Sequence, residues 1–313
     1  MTSPLQPVIF LMGPTASGKT ALAMALADQF PCQLISVDSA LVYRGLDIGT
    51  GKPTRAEQQK YPHDLIDICN PDEPFNAADF VSCASDCIQK AHASNKIPLL
   101  VGGTMLYFKA LLQGLSPLPK ADASLREQLF ADYQKNGCEA MHQQLQSLDP
   151  VAAQRIHHND PQRILRALEV NLLTGKVMQA HFEQPKVSFE YPCLQLAIWP
   201  ERPVLHTRIA KRFHDMVAEG FLAEAQHLYQ QTWFDPMLPS MRAVGYRQAM
   251  EHLSGQLTYD RFIETSIVAT RQLAKRQMTW LKHWIAPLHA LEDASHLLDD
   301  ATKQMTKFLS AAS

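Results

Sequence analysis

Over the first third of the chain, short apolar runs alternate with longer stretches whose apolar residues recur every three or four positions. Val8-Ile9-Phe10-Leu11-Met12 stops at Gly13, and Leu34-Ile35-Ser36-Val37 stops at Asp38. Leu65-Ile66-Asp67-Ile68 stops at Cys69, and Pro98-Leu99-Leu100-Val101 stops at Gly102-Gly103. A fifth run, residues 194–199, stops at Pro200. Runs this short and this apolar predict buried strands. Helical patterns separate the first four, so the order is βαβ and the sheet is expected to be parallel. Right-handed crossovers would bring the strand ends to one edge, where ligands collect in open α/β sheets.

Between residues 116 and 191 the strand pattern is absent. Ser116-Pro117-Leu118-Pro119 reads as a linker, and apolar residues then recur at helical spacing: Leu125, Leu129 and Tyr133, then Met141, Leu145 and Leu148. Asp160-Pro161 predicts a helix start, Ile164, Leu165, Leu168 and Leu172 its apolar face, and Gly175 its end. The expected organisation is an α/β core of the phosphate-loop type in residues 1–117. A helical insertion follows in 118–191, and the core resumes in 192–313, mainly as helix.

Composition adds little to that picture. Hydrophobic residues are 46% and charged residues 19%, which is ordinary for a globular protein. No apolar run approaches the roughly 20 residues that cross a bilayer, so no membrane association is expected. The first seven residues carry no basic residue and the six cysteines form no C-x-x-C pair, which predicts a cytoplasmic protein with reduced thiols. The net charge of −2 does not mark a nucleic-acid binder, but the charge is unevenly placed. From 261 to 283 the basic residues are Arg261, Arg271, Lys275, Arg276 and Lys282, against one acid, Glu264. Residues 202–212 are basic too. Such patches attract phosphates on a neutral protein.

The strongest chemical signal is Gly13-Pro14-Thr15-Ala16-Ser17-Gly18-Lys19-Thr20, a full G-x-x-x-x-G-K-[ST] between a strand and an amphipathic helix. The loop turns its N–H groups toward phosphate, Lys19 adds a point charge, and Thr20 can offer its hydroxyl to Mg²⁺. Nucleotide-binding kinases and triphosphatases need an acid at the end of another strand. The fourth run ends in Gly102-Gly103-Thr104 instead, which leaves Asp38 and Asp67, with Asp38 better placed beside the loop.

Several further motifs occur in order. Asp38-Ser39-Ala40-Leu41-Val42-Tyr43, Asp47-Ile48-Gly49-Thr50 and residues 98–107 follow the phosphate loop. Asn159-Asp160-Pro161-Gln162-Arg163, Val244-Gly245-Tyr246-Arg247 and residues 269–277 come later. Together, from about residue 8 to 284, they resemble the tRNA dimethylallyltransferases in their bacterial form. The resemblance implies transfer of a dimethylallyl group from dimethylallyl diphosphate to the N6 amine of the adenosine 3′ to the anticodon in tRNA. The implied catalytic residues are Asp38, as the base, and Thr104. The phosphate loop, with Arg208 and Arg212 on one helix face, would hold the diphosphate, with Mg²⁺ at Thr20. Contact with the anticodon stem-loop is implied for Asp38, Ser39, Ala40, Leu41, Thr104 and Arg126. It is implied also for Gln162, Arg163, Ile164, Leu165 and Arg166, for Arg242, Gly245, Tyr246 and Arg247, and for Lys275, Arg276 and Lys282. A monomer is expected, and Trp280 and Trp284 are expected to serve packing. The alternatives are a small-molecule kinase, a transferase prenylating free adenine nucleotides, and an RNA-binding protein without catalysis.

Overall fold

The structure, a computed structural model, describes residues 6–186, 189–292 and 295–312. Strands β1 (Val8–Met12), β2 (Cys32–Val37), β3 (His63–Asp64), β4 (Ile97–Gly102), β5 (Cys193–Ile198) and β6 (His289–Leu291) form one sheet. Their order is β3-β2-β4-β1-β5-β6, and every neighbouring pair is parallel. All five residues of β1 are buried, with β4 on one side and β5 on the other. A strand covered on both faces carries no polar alternation, which is why its run is continuous.

The chain leaving β1 travels to β2, while the chain leaving β4 travels to β5 on the opposite side of β1. The direction of connection therefore reverses between β1 and β4, which opens a crevice at their carboxyl ends. The Gly13 N–H donates to the Gly102 carbonyl across it at 3.3 Å.

Two parts of the sheet differ from expectation. The third strand is His63–Asp64, not the apolar run 65–68. Leu65 and Asp67 adopt φ of 65° and 55°, left-handed conformations that cannot continue a strand. The run instead folds onto the loop after β2: Asp67 N–H donates to Leu41 O, and Ile68 N–H to Val42 O. The sequence pattern also missed β6, whose three residues are too few to show a period.

Helices α1 (Lys19–Ala27), α2 (Arg55–Lys60), α3 (Ala77–Ala93) and α4 (Met105–Gln113) link the first strands. Reciprocal caps fix two of their starts, Thr54 with Glu57 and Asn76 with Asp79. The chain divides into two compact units, Met1–Leu112 with Glu190–Ser313, and Gln113–Phe189.

The smaller unit is helical among its described residues: α5 (Ala123–Leu148), broken at Gly137 where φ is 80°, α6 (Pro150–Arg155), α7 (Pro161–Thr174) and α8 (Met178–Phe182). Asp160 caps α7, Pro161 opens it, and Gly175, at φ 65°, closes it. Leu129, Leu145, Ile164 and Leu168 form its core. Glu169 is buried there and accepts from Arg126 Nε at 2.8 Å, Arg166 Nη1 at 2.6 Å and the Asp122 N–H at 3.0 Å.

The larger unit continues through α9 (Arg202–Ala218), α10 (Phe221–Tyr229), α11 (Tyr246–Leu253), α12 (Tyr259–Lys282) and α13 (Leu297–Ala312). Val42, Tyr43, Phe213, Phe221, Tyr246 and Phe262 share one apolar cluster. Ala301 and Met305 of α13 enter the core beside Leu22, Leu26 and Leu196, an element the apolar pattern had not marked. No described helix is long and apolar enough to cross a membrane.

Candidate active site

The phosphate loop occupies the crevice after β1. Ala16 and Gly18 have φ of 62° and 92°, so the loop bends through left-handed conformations before α1. Gly18 serves as the N-cap residue with no side-chain bond, which leaves the first α1 amides free to face a ligand. On the opposing wall, a β-carbon at Gly102 would lie 2.0 Å from the Val37 carbonyl oxygen, so only glycine permits this approach of β4 to the end of β2.

Asp38 leaves the end of β2. Its Oδ1 accepts the N–H groups of Ala40 at 2.8 Å and Leu41 at 3.3 Å, which fixes the carboxylate. Thr104 closes the wall: its N–H donates to Val37 O at 3.2 Å, and its hydroxyl accepts the Ser39 N–H at 3.1 Å. Arg212 reaches in from α9, donating to Thr15 Oγ1 at 3.0 Å and to Thr50 O at 3.1 Å. These groups line one cavity of about 880 Å³ in the larger unit.

Electrostatics favour an anion. Burial lowers the Lys19 ammonium to about 8; the Asp38 carboxylate works against that shift, and the Arg212 guanidinium adds to it. Burial also lowers Arg212, with Asp38 opposing. Both cations sit where positive charge is costly, and a polyanion would relieve that cost.

Thr15, Ala16, Gly18, Lys19 and Thr20 line the cavity, while Gly13, Pro14 and Ser17 are buried within the loop. Asp38, Ser39, Ala40, Leu41, Thr104, Arg208, Arg212, Arg242, Gly245 and Arg276 also line it. Lys275 and Lys282 are exposed on α12. Arg247 is exposed, with Nε 3.7 Å from Glu251. In the smaller unit Gln162 and Arg163 are exposed.

Five residues implied as RNA contacts are engaged otherwise. Ile164 and Tyr246 are fully buried, the first in the core of the smaller unit and the second donating its hydroxyl to Glu224, so neither side chain can face RNA. Leu165 packs against the same helical core as Ile164. Arg126 and Arg166 hold the buried Glu169, and Arg166 also donates to Pro119 O.

Other participants escaped the sequence pattern. Asp67, one of two acids considered for metal, is bound by Lys52 at 2.5 Å; Lys52 also binds Asp47 at 2.6 Å and Tyr43 O at 2.9 Å. That leaves Asp38 as the strand-end acid facing the loop. Trp280, expected to pack, lines the cavity and is 39% exposed, with Lys109 Nζ 5.8 Å from its ring centroid. Trp284 does pack, donating Nε1–H to Gln195. Gln277, a polar residue on the inward face of α12, touches both walls of the crevice. An apolar count along the helix passes over it.

A model of the family described as IPP transferase matches residues 41–284. Among solved structures, the full-length tRNA isopentenylpyrophosphate transferase from Bacillus halodurans is 35% identical, covers 98% of both chains and superposes with a TM-score of 0.72. The tRNA delta(2)-isopentenylpyrophosphate transferase from Staphylococcus epidermidis is 33% identical, covering 97% of this chain and 99% of its own, with a TM-score of 0.69. A eukaryotic dimethylallyltransferase acting on tRNA is 27% identical over 98% of this chain and 80% of its own, with a TM-score of 0.81. A family match over most of the chain and two relatives above 30% identity at nearly full coverage lead to one assignment: this chain belongs to the IPP transferase family.

Proposed function

We propose that this chain transfers a dimethylallyl group from dimethylallyl diphosphate to the exocyclic N6 amine of the adenosine 3′ to the anticodon in tRNA, releasing diphosphate. One observation carries this: a single cavity joins a phosphate loop to Asp38, which is fixed by two backbone amides and faced by Lys19 and Arg212. The amine is a weak nucleophile because its lone pair is delocalised into the ring. As the N6–C1 bond forms, the C1–O bond breaks and its electron pair leaves with the diphosphate. The N6 proton passes to Asp38. Lys19, Arg212 and the α1 amides stabilise the charge that grows on the leaving group.

Mg²⁺ fits the donors present. Thr20 and Ser36 offer hydroxyl oxygens to the same cavity that Asp38 lines, and the Ser36 hydroxyl is buried without a partner. Thr20 would hold the ion, which when bound adds positive charge against the diphosphate oxygens.

A stacked base cannot enter a cavity at the sheet edge without leaving its neighbours, so the adenosine is flipped out, at a cost of roughly a few kcal/mol. Exposed Arg163, Arg242, Lys275, Arg276 and Lys282 offer charge to the surrounding phosphates. We infer likewise a monomeric enzyme of the cytoplasm; the six unbridged cysteines are in keeping with the compartment.

The test is direct. The protein is incubated with labelled dimethylallyl diphosphate and Mg²⁺, in separate reactions with unmodified tRNA and with AMP, and the RNA is digested to nucleosides. Label on adenosine is expected. Label on free adenine nucleotides alone, or none, would refute the assignment.

A further inference from the structure

The two walls of the crevice come from loops far apart in sequence, and one side chain from a third element joins them. Gln277 of α12 accepts the Thr15 N–H on its Oε1 at 2.9 Å and donates from Nε2 to the Gly103 carbonyl at 2.9 Å. Its side chain is buried, at 9% exposure, so water does not compete for either bond. The partners fix the amide's orientation. An oxygen must face the phosphate-loop N–H, and an N–H₂ must face the carbonyl of the β4 turn. No other side chain of this length supplies both at neutral pH.

We propose that Gln277 is a positioning residue for the transfer: its amide sets the gap between the phosphate loop and the Gly102-Gly103-Thr104 turn, and so the alignment of the diphosphate with Asp38. This deepens the prenyl-transfer assignment and rests on it. Three facts support it. The Thr15 N–H is taken by Gln277, so this stretch of the loop is held from outside rather than by the ligand. Thr104, one residue beyond the Gly103 carbonyl, holds the Ser39 N–H and so ties the same turn to the loop that carries Asp38. The clamp is tight, because a β-carbon at Gly103 would lie 2.4 Å from Gln277 Nε2 and 3.2 Å from the Gly13 carbonyl. A displacement of about 1 Å between reacting groups can cost about a hundredfold in rate. The preceding residue of α12, Arg276, lines the cavity, so the helix that holds the walls together also lends them charge.

The test compares wild type, Gln277→Met, Gln277→Glu, Gly103→Ala and Gly103→Ala combined with Gln277→Met. Methionine keeps the volume and loses both bonds; glutamate keeps an acceptor and loses the donor. Steady-state prenylation of tRNA is measured with KM for dimethylallyl diphosphate separated from kcat, alongside tRNA affinity and melting temperature. Both Gln277 variants are expected to lose about 10–100-fold in kcat/KM for dimethylallyl diphosphate, with tRNA affinity within about twofold of wild type. Gly103→Ala displaces the same amide, so the double variant should lose little more than the worse single one. Near wild-type kinetics in Gln277→Met, or additive losses in the double variant, would overturn the proposal. So would a lower melting temperature with unchanged kinetic constants. Should Gln277→Met fail to fold, Gly103→Ala and Gln277→Glu decide by the same kinetic criterion. A wild-type protein that does not prenylate tRNA would refute the functional assignment instead, whatever the variants do.

Discussion

The arginines of the smaller unit and those of the cavity are chemically identical and engaged in opposite ways. Arg126 and Arg166 converge on Glu169, whose side chain is 2% exposed, so a buried carboxylate meets two guanidinium groups and a backbone N–H. Burial pushes the Glu169 carboxyl upward, but the bonds from Arg126, Arg166 and the Asp122 N–H outweigh it and leave the group below its ordinary value. In the cavity, Arg212 meets neutral oxygens, and Lys19 donates to the Pro14 carbonyl. Both sites set two cations against one acid, but in the smaller unit the carboxylate pairs directly with both guanidinium groups and holds helices together. In the cavity Asp38 faces Lys19 and Arg212, but their hydrogen bonds go to neutral oxygens, which leaves both cations beside a loop built for phosphate. Whether a basic residue is held by the fold or left for a ligand thus turns, in these two sites, on a buried acid bonded to it directly.

The sharpest way to break this comparison is at the acid the cavity does contain. Asp38→Ala should lower turnover by about 10²–10⁴, the usual range for a positioned acid–base group, with little change in tRNA affinity. Single-turnover prenylation measures the first quantity and filter binding the second. Turnover near wild type would remove Asp38 from the catalytic role.

Next comes the Glu169 cluster. Glu169→Gln should destabilise the helical unit by about 1–2 kcal/mol, because it weakens two charge-assisted bonds whose arginine partners are still partly exposed to solvent. Denaturant melts of the whole protein measure it. The wild-type contribution should also depend on acid. The folded group titrates below its ordinary value of 4.5, so its stabilisation is complete above that value and is lost as pH falls through the folded pKa. Glu169→Gln should lack that acid-dependent loss. An equal pH dependence in both proteins would mean that the cluster carries none of it.

The cavity predicts a titration of the other sign. Lys19 is held at about 8, so the free protein loses this charge as pH rises through that value. Affinity for dimethylallyl diphosphate should be level just below it and fall by up to about tenfold per pH unit above it. Lys19→Ala should bind weakly throughout and show no such step. A wild-type affinity flat to pH 10 would contradict the lowered ammonium.

The smallest effect separates two cations once expected to play one role. Lys275→Ala should weaken tRNA binding a few-fold and reduce the salt slope by about 1, as for a lost phosphate contact. Arg166→Ala should instead lower stability and leave the slope unchanged, because its guanidinium already serves Glu169 and Pro119. A reduced slope in Arg166→Ala would restore it to the RNA surface.

Much of this was legible before any fold was known. The phosphate loop is eight consecutive residues, and its turn is fixed by bonds between near neighbours, such as Ser17 N–H to Pro14 O. The strands with continuous apolar runs, the Asp160-Pro161 start of α7 and its Gly175 stop follow likewise from local preference. Local preference thus carried the parallel core, the phosphate loop and Asp38 at the strand end beside it. The tertiary structure alone decided who meets whom at long range. It set Lys52 against Asp67, Glu169 against Arg166, and Gln277 across a separation of 262 residues from Thr15. A long polar side chain has several partners within reach of its flexible stem. Only the packing of one element on another removes water from all but one of them, and no spacing along the chain encodes that choice.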